Sequence, residues 1–428
     1  MPDPAATSLQ YLIQSRLALL DVTLSFFISL SLLFFYLGYK STRKKRYYLL
    51  FFISMALATL TKGPVGTILP LLVIGLYLAL AGETKLVRKI PWFWGTIIYL
   101  VIAAPWYIIE FLRHGKEFLD NFFLLRTFSR YLTPFEGHGE PIWYFIPVLF
   151  FGFFPWSGFL PYSFLYLVSL KGKWKNLPGK NILFILFWFG VIFVFFSLAK
   201  SKLPGYILPL YPPLALAVGK LWDDWFSKKR PNLRKGLIFS FVLFFLLGLI
   251  LLLAVSSILK VKFPVELSQF KESPFPLAIV LMASTVISFF SFFWKRLSFI
   301  SFTGIVVMVF VSTGFLVNYV LPRTEQFKPT KILSNKIVNL IQPGEKIGDY
   351  LAFANEPLSF NCSLIYYCDR PVEAIDSEKS LLNFLKSKER VYCTMEKKKY
   401  LEVRKKLNQV SFYILDERGK QILISNQR

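Results

Sequence analysis

The amino-acid sequence predicts an all-α polytopic membrane protein of about ten transmembrane helices, followed by a small C-terminal α/β domain. Three observations predict this class. The 428 residues are 55% hydrophobic and 18% aromatic, with a mean hydropathy of +0.51, which is high for a soluble protein. Continuous apolar runs recur from residue 17 to residue 321. Basic residues cluster in every second connection between these runs.

The predicted spans have about the 20 apolar residues that a membrane helix needs. They cover residues 17–39, 47–62, 64–82, 91–112, 141–169, 181–199, 205–223, 236–258, 274–294 and 297–320. The fifth span is unusually long, and Pro155 predicts that it is tilted or broken there.

The net charge of +25 raises the question of nucleic-acid binding, but its distribution argues against it. The basic clusters lie in alternate short loops, at 40–46, 85–89, 171–180, 228–235 and 295–296. Loops rich in Lys and Arg face the cytoplasm. The pattern therefore predicts a membrane orientation rather than a nucleic-acid partner, and it places both ends of the chain outside the cytoplasm.

The chain divides by composition into three predicted parts. Residues 1–16 are an extracytoplasmic loop segment, residues 17–321 form the membrane domain, and residues 322–428 form an extracytoplasmic α/β domain. All three cysteines lie in the last part. A Cys362–Cys368 disulfide and buried free thiols are both open, because the number of cysteines is odd.

The C-terminal part alternates between strand-like and helix-like segments. Strands are predicted in 337–353, 363–376, 390–395, 411–417 and 420–425, and helices in 379–388 and 397–408.

The first residues, MPDPAATSLQYLIQ, have neither the basic start nor the apolar core of a signal peptide. The orientation nevertheless places Arg16 and Asp21 outside the cytoplasm. An odd number of helices upstream would explain this, so we expect the chain to be an N-terminally truncated version of a larger protein.

Ionisable residues at the ends of spans are candidate functional groups, because placing them in hydrocarbon is costly. Arg16 and Asp21 open the first span, where an ion pair at the interface is the alternative explanation. Lys62 lies in TKGPVG, where Gly63 and Pro64 end the helix and let the ammonium face a cavity. An isolated interfacial lysine is the alternative there.

The segment SLAKSKLPGYILPLYPP, residues 197–213, interrupts two apolar runs with prolines. Irregular backbone at membrane depth is tolerated where it lines a cavity or is covered by protein. Lys200, Lys202 and Tyr206 would then be donors for an anionic group near the outer headgroups. A polyprenyl phosphate fits this depth and charge, and ordinary anionic lipid headgroups are the alternative.

The connection 113–145 predicts an amphipathic helix on the membrane surface, followed by a loop. His138 lies between Glu136 and Glu140 in that loop. This set could bind a divalent metal ion, but an ordinary solvated loop is the more frequent reading of such spacing. The sequence indicates no certain cofactor.

Four segments in this order resemble the polyprenyl-phosphate-dependent glycosyltransferases of the GT-C superfamily. They are SRLALLDVTLSFF (15–27), LTKGPVG (60–66), HGEPIWYFIPVLFFGFFPW (138–156) and SKLPGYILPLYPPLAL (201–216). The resemblance is greatest to the branch that contains lipid A aminoarabinose transferase and the protein O-mannosyltransferases.

The resemblance implies an inverting transferase in the bacterial cytoplasmic membrane. It would move a sugar from an undecaprenyl-phosphate carrier to lipid A, a protein or a glycan at the outer face. By matching position, Arg16 and Asp21 correspond to an outer-face Arg–Asp pair of the family. Lys62 belongs to the TKGP motif of the family, and Lys202 and Tyr206 match the segment that holds the carrier phosphate. We therefore predict that Lys62, Lys202, Tyr206 and the neighbouring Lys200 bind the carrier phosphate. His138 matches a histidine near the entrance of the site.

The sequence departs from the family at one place. The principal catalytic carboxylate of the family precedes the segment matching SRLALLD, and no residue here matches it. Asp21 is the best remaining acidic candidate. A transporter or flippase of a lipid-linked sugar, or a catalytically inactive binding subunit, are the alternatives. The gathering of polar residues on one side of the membrane favours chemistry over transport.

Overall fold

The computed structural model describes residues 4–17, 19–41, 44–120, 122, 140–170, 177–227, 233–260, 283, 286–292, 298–315, 317–318, 328–350, 362–407 and 410–427. The chain forms two compact units. The first contains Met1–Lys262 and Pro274–Thr313, and the second contains Phe263–Ser273 and Gly314–Arg428.

The described part of the first unit is helical. Its α-helices are α1 (Leu9–Arg16), α2 (Leu20–Lys40), α3 (Lys44–Lys62), α4 (Val65–Leu80), α5 (Trp92–Leu119), α6 (Phe145–Gly152), α7 (Leu160–Ser169), α8 (Leu177–Leu198), α9 (Tyr211–Phe226), α10 (Leu233–Lys260) and α11 (Ser298–Phe315). Short 3-10 helices cover Thr84–Lys89, Trp156–Phe159 and Pro204–Leu210.

Within the described ranges, three helices are long and apolar enough to cross a membrane, and a bent pair makes a fourth candidate. The three are Leu20–Lys40, Trp92–Leu119 and Gly179–Leu198. The bent pair joins Phe145–Gly152 to Trp156–Ser169 at 113°. The break predicted near Pro155 is therefore confirmed, since a proline cannot continue the ladder of the preceding helix. The polytopic helical class is confirmed, and the number of ten spans stays a prediction.

The packing of the first helices follows the helical period. In α2 the buried residues Leu24, Ile28, Leu32 and Phe35 recur at spacings of three and four and face α3 and its neighbours. Aromatic side chains fill the core around them, and Phe35 contacts both Tyr48 and Phe51 of α3.

The N-terminal segment is folded against the bent pair of helices. Residues 9–16 form α1, where the sequence predicted a loop because the segment is too polar for a span. The Trp156 indole donates a hydrogen bond of 2.8 Å to the Thr7 hydroxyl. The amide of Leu9 donates one of 2.9 Å to the carbonyl of Phe154. These bonds fix α1 to the first unit.

Helix α5 extends beyond the predicted span. It reaches Leu119, and Gly115 interrupts it with a φ of +56°. Two helices therefore meet at a kink at Gly115, three residues after the predicted end of the span at 112, because glycine adopts this left-handed conformation without steric cost. Most of the predicted amphipathic segment that follows, with His138, lies outside the described residues. Among the described residues, no group of His, Cys, Asp and Glu could hold a metal ion.

The second unit contains the predicted small α/β fold. Its elements are α12 (Pro329–Leu340), β1 (Lys346–Tyr350), α13 (Cys362–Cys368), β2 (Val372–Ile375), α14 (Glu378–Leu385), β3 (Val391–Glu396), α15 (Lys397–Leu407), β4 (Tyr413–Arg418) and β5 (Gln421–Ser425). The strand order is β2-β1-β3-β5-β4; β1 is parallel to β2 and β3, and β5 is antiparallel to β3 and β4. Helices α12 and α13 share one apolar cluster with the sheet, and α14 and α15 share the other.

One predicted strand of this unit is wrong in its first half. Residues 362–368 form α13, and the strand begins only at Val372. A parallel pair such as β1 and β2 needs a crossover connection, and a helix supplies it. The start of the predicted strand at 337 also belongs to a helix, α12.

The cysteines resolve one of the open alternatives. Cys368 and Cys393 are both buried free thiols, so the Cys362–Cys368 disulfide is not formed. Burial raises the pKa of both thiols, that of Cys393 well above its ordinary value.

Candidate functional site

Three ends of helical elements meet at one place in the first unit. Asp21 lies in the first turn of α2, Lys62 is the last residue of α3, and Tyr206 lies in the 3-10 helix Pro204–Leu210. The Lys62 ammonium donates a hydrogen bond to the Asp21 carboxylate and forms an ion pair with it. The same ammonium lies 4.4 Å from the centre of the Tyr206 ring. The structure therefore brings three predicted site residues together.

The sequence TKGP explains why Lys62 lies at a tip. Gly63 has a φ of +85°, a left-handed conformation that ends α3 and that glycine adopts without strain. Its amide donates a hydrogen bond of 2.7 Å to the carbonyl of Thr59, and α4 begins two residues later. Asp21 is favourably placed because a carboxylate in the first turn interacts well with the dipole of its helix.

The turn that carries Tyr206 lies directly against the carboxylate. A Cβ atom on Gly205 would lie 2.7 Å from Oδ2 of Asp21 and 3.0 Å from its Cγ. A larger residue at this position would force the carboxylate or the turn to move. The glycine of KLPGY thus allows the turn to pack closely against Asp21.

The site is partly open. The side chain of Lys62 is 29% exposed and that of Asp21 is 14% exposed. An ammonium held by one carboxylate and one ring keeps further N–H donors for an anion that approaches from the open side. Lysine in such a position acts as a compact charge toward phosphate.

Lys202 and Lys200 have different surroundings. Lys202 is 3% exposed, and its ammonium donates to the carbonyls of Ala199 at 2.6 Å and Glu140 at 2.8 Å. It lies between the predicted spans, and its burial, followed by the charge of Lys200, lowers its pKa. Lys200 is exposed. Lys202 therefore joins two backbone segments, and Lys200 faces outward.

Arg16 is not paired with Asp21. It is an exposed residue at the end of α1, and Asp21 belongs to α2, where its ion-pair partner is Lys62. The ion pair that was the alternative explanation for these two residues is therefore not formed, because Asp21 pairs with Lys62. His138 lies outside the described residues.

Sequence reasoning missed Gln10. This side chain is 7% exposed, and its amide donates to the carbonyl of Pro204, at the start of the turn that carries Tyr206. Its carbonyl oxygen accepts a hydrogen bond from the hydroxyl of Tyr211. Gln10 thus fixes the turn to α1 and α9. The sequence signals this role of Gln10 only by placing a polar residue in an N-terminal segment to which no motif assigns a function.

An apolar groove of about 580 Å³ lies between α4 and α8. It is lined by Leu72, Leu76, Leu183, Leu186, Phe187, Gly190, Val191, Val194, Phe195 and Leu198. Leu198 is the last residue of α8 and comes two positions before Lys200. The groove therefore runs along the helix that leads to the KLPGY turn.

Comparison with known protein families gives a match to the N-terminal region of the chain. A family model described as dolichyl-phosphate-mannose-protein mannosyltransferase matches residues 5–114. This range includes Asp21 and Lys62.

Two relatives cover more of the chain. A protein of Aquifex aeolicus (strain VF5), described as uncharacterized, is 31% identical over 368 residues, which are 85% of this chain and 64% of that protein. An undecaprenyl phosphate-alpha-4-amino-4-deoxy-L-arabinose arabinosyl transferase of Wigglesworthia glossinidia brevipalpis is 32% identical over 232 residues, which are 51% of this chain and 38% of that protein. The chain thus spans less than two thirds of the length of either relative.

The fold has a close counterpart among solved structures. ArnT from Cupriavidus metallidurans, in a crystal structure bound to undecaprenyl phosphate, superposes with a TM-score of 0.76 and 21% sequence identity. The match covers 99% of this chain and 78% of that one. The apo form gives a TM-score of 0.73. The resemblance to the aminoarabinose-transferase branch of the GT-C glycosyltransferases is confirmed.

Proposed function

We propose that this chain acts in the transfer of a sugar from a polyprenyl-phosphate carrier to an acceptor, which is lipid A, a protein or a glycan. The contact of Lys62 with Asp21 and Tyr206 carries this proposal. This contact supplies a fixed positive charge at a partly open position. Two of the three residues, Asp21 and Lys62, lie in the range that the family model matches.

The chemistry needs such a charge on the leaving group. An acceptor oxygen attacks the anomeric carbon of the sugar, and the bond from that carbon to the carrier phosphate breaks. The phosphate leaves with the electron pair of that bond, and the configuration at the anomeric carbon is inverted. A fixed ammonium stabilises the negative charge that develops on the departing phosphate. Lys62 has this role in the proposal, and the Tyr206 ring keeps the ammonium in place.

Asp21 has a supporting role in the proposal. The acceptor oxygen loses a proton during the attack, and a carboxylate is a suitable base for it. Asp21 is the acidic group beside Lys62 in the described site, and it also orients the ammonium. Arg16, exposed at the end of α1, is proposed to contact the anionic substrates from outside.

The two lysines of the KLPGY region are assigned different tasks. Lys202 is proposed to hold the turn for the carrier, because it binds the carbonyls of Ala199 and Glu140. Lys200 is exposed and would attract anionic headgroups to the mouth of the site.

The polyprenyl chain of the carrier is proposed to lie in the groove between α4 and α8. The side chains that line the groove are apolar, and they extend to Leu198, the last residue of α8, two positions before Lys200. Burial of the apolar tail would contribute to affinity in proportion to the area it covers.

The proposed orientation places the site at the outer face of the cytoplasmic membrane. It rests on ten spans and on the basic loops, which the positive-inside rule assigns to the cytoplasm. The C-terminal α/β domain, residues 322–428, would then be extracytoplasmic.

A reconstitution of the full chain in liposomes tests the proposal. The probe is undecaprenyl phosphate that carries an aminosugar, and lipid A is the acceptor. Release of undecaprenyl phosphate that Lys62→Ala abolishes and Lys180→Ala preserves is the expected result. Binding without release would indicate a binding subunit, and movement of the intact donor across the bilayer would indicate a flippase. Either result would overturn the proposed transfer.

A further inference from the structure

Three hydroxyl groups form a cluster below the tip that carries Lys62, and the hydroxyl of Thr59 also donates a hydrogen bond of 3.0 Å to the carbonyl of Met55 in its own helix. The hydroxyl of Thr59 in α3 lies 2.6 Å from that of Thr67 in α4. The Thr67 hydroxyl lies 2.8 Å from the hydroxyl of Tyr99 in α5, which in turn lies 3.2 Å from that of Thr59. The cluster therefore joins α3, α4 and α5 through side chains alone.

A second tyrosine of α5 binds the backbone of the same turn. The hydroxyl of Tyr107 donates a hydrogen bond of 3.1 Å to the carbonyl of Thr59. This carbonyl also accepts the amide of Gly63, which ends the helix. Tyr107 therefore binds the last turn of α3, one turn before Lys62.

The hairpin of α3 and α4 is tightly packed at this level. A Cβ atom on Gly66 would lie 2.4 Å from the carbonyl carbon of Ala58 and 2.5 Å from the amide nitrogen of Thr59. The backbones of the two helices therefore pack closely at the level of the hydroxyl cluster. A movement of this turn would be carried directly to Lys62.

Polar groups within membrane helices are costly unless they are paired, and they usually have a functional reason. The hydroxyl groups make directional contacts. Hydrogen bonds fix the rotation of the last turn of α3 about the helix axis, whereas apolar contacts do not.

We propose that Tyr99 and Tyr107 are positioning residues for Lys62. Through Thr59 they set the rotation of the last turn of α3, so that the ammonium meets Asp21 and the Tyr206 ring. The consequence for the carrier phosphate rests on the proposed function, but the placement of Lys62 does not.

The first test measures the placement of Lys62 without any carrier. The full chain in detergent is treated with an amine-acylating reagent, and labelling of Lys62 and Lys180 is followed by peptide mass spectrometry. Lys180 is the matched control, because it is ion-paired with Glu83 beyond the far end of α4. In Tyr107→Phe and Tyr99→Phe we expect Lys62 to be labelled about three- to tenfold faster, and Lys180 at an unchanged rate.

Two control substitutions remove hydroxyls outside the cluster. Thr61→Val removes a hydroxyl that donates a hydrogen bond to the carbonyl of Leu57 in its own helix, and it is compared with Thr59→Val, which removes a hydroxyl of the cluster. Tyr48→Phe removes a buried hydroxyl that has no hydrogen-bond partner among the described residues. Neither should change the labelling of Lys62. Equal acceleration at Lys62 and Lys180, or none in the tyrosine variants, would overturn the inference.

The second test separates positioning from general stability. Binding of undecaprenyl phosphate is measured for Tyr107→Phe in the natural chain and in a Lys62→Ala background. We expect Kd to rise about three- to tenfold in the first and not at all in the second, because the hydroxyl acts through the lysine. The same rise in both backgrounds would overturn the positioning role. A natural chain without affinity for the carrier would contradict the proposed function, while the labelling test would still decide the inference.

Discussion

The ammonium of Lys62 lies 4.4 Å from the centre of the Tyr206 ring and donates a hydrogen bond to the Asp21 carboxylate. The three residues come from the ends of three different elements. A cation held over a ring and beside a carboxylate is pre-organised, since neither contact has to form when a ligand binds. This relationship connects the predicted site residues to a phosphate-binding function.

Replacing Gly205 tests the packing of the KLPGY turn on Asp21. In Gly205→Ala the new methyl group would meet Oδ2 of Asp21 at 2.7 Å, so the turn or the carboxylate must move. We expect a loss of about 1–3 kcal/mol in the free energy of unfolding, together with weaker carrier binding. Thermal unfolding and a titration with undecaprenyl phosphate measure the two effects.

The matched control is Gly219→Ala in α9, where a Cβ atom meets nothing within 4 Å. It should be neutral or slightly stabilising, because alanine favours a helix over glycine. Equal stability of the two variants would show that the turn is not packed on Asp21 as described.

Replacing Lys202 tests its role in holding the turn. Lys202→Ala removes both hydrogen bonds to the carbonyls of Ala199 and Glu140. We expect carrier affinity to fall about tenfold, which corresponds to roughly 1.4 kcal/mol for a charged hydrogen-bond donor. Lys180→Ala, whose lysine is ion-paired with Glu83 away from the site, should leave the affinity unchanged. Unchanged carrier affinity in Lys202→Ala would rule out this assignment.

Removing the side chain of Gln10 tests the contact that the sequence did not reveal. Gln10→Ala leaves the carbonyl of Pro204 and the buried hydroxyl of Tyr211 without this partner. An unsatisfied buried group costs about 1–3 kcal/mol, so we expect a clear drop in the unfolding temperature. Gln14→Ala is the control, because the buried Oε1 of Gln14 has no hydrogen-bond partner among the described residues. Equal drops in both variants would contradict the role of Gln10.

The thiols of the C-terminal unit predict a pH dependence. Burial raises the pKa of Cys368 and Cys393 above the ordinary value of 9.0, so the folded state binds these protons more tightly than the unfolded state does. This contribution to stability is complete below pH 9 and is lost as the pH rises toward the raised values. We expect both thiols to resist iodoacetamide at pH 8 until the chain is unfolded. Rapid alkylation of the folded chain, or a peptide cross-linked between Cys362 and Cys368, would contradict this.

Much of the membrane fold could be predicted from the sequence. Apolar runs of sufficient length define helices whatever their neighbours are, and Pro155 marks a real bend because proline removes a backbone donor. The predicted strand at 363–368 is a helix instead. Its aromatic and β-branched residues favour a strand locally, but the parallel pairing of β1 and β2 requires a crossover there.

The site was predictable in its residue types and not in its contacts. The prolines and glycines of TKGP and KLPGY indicated where Lys62 and Tyr206 lie, at the ends of helices. The sequence left an ion pair of Asp21 with Arg16 open as an alternative, whereas the structure pairs Asp21 with Lys62. Residues in different helices meet through tertiary packing, which local spacing does not encode.

A titration of the full chain with undecaprenyl phosphate tests the central claim most directly. The measurement compares the natural chain with Lys62→Ala and with Lys180→Ala, whose lysine is paired with Glu83. If Lys62 binds the carrier phosphate, its removal should raise Kd by about 10- to 100-fold, as expected for charged hydrogen bonds, and Lys180→Ala should leave Kd unchanged. Equal Kd values for the natural chain and Lys62→Ala would show that the phosphate binds elsewhere.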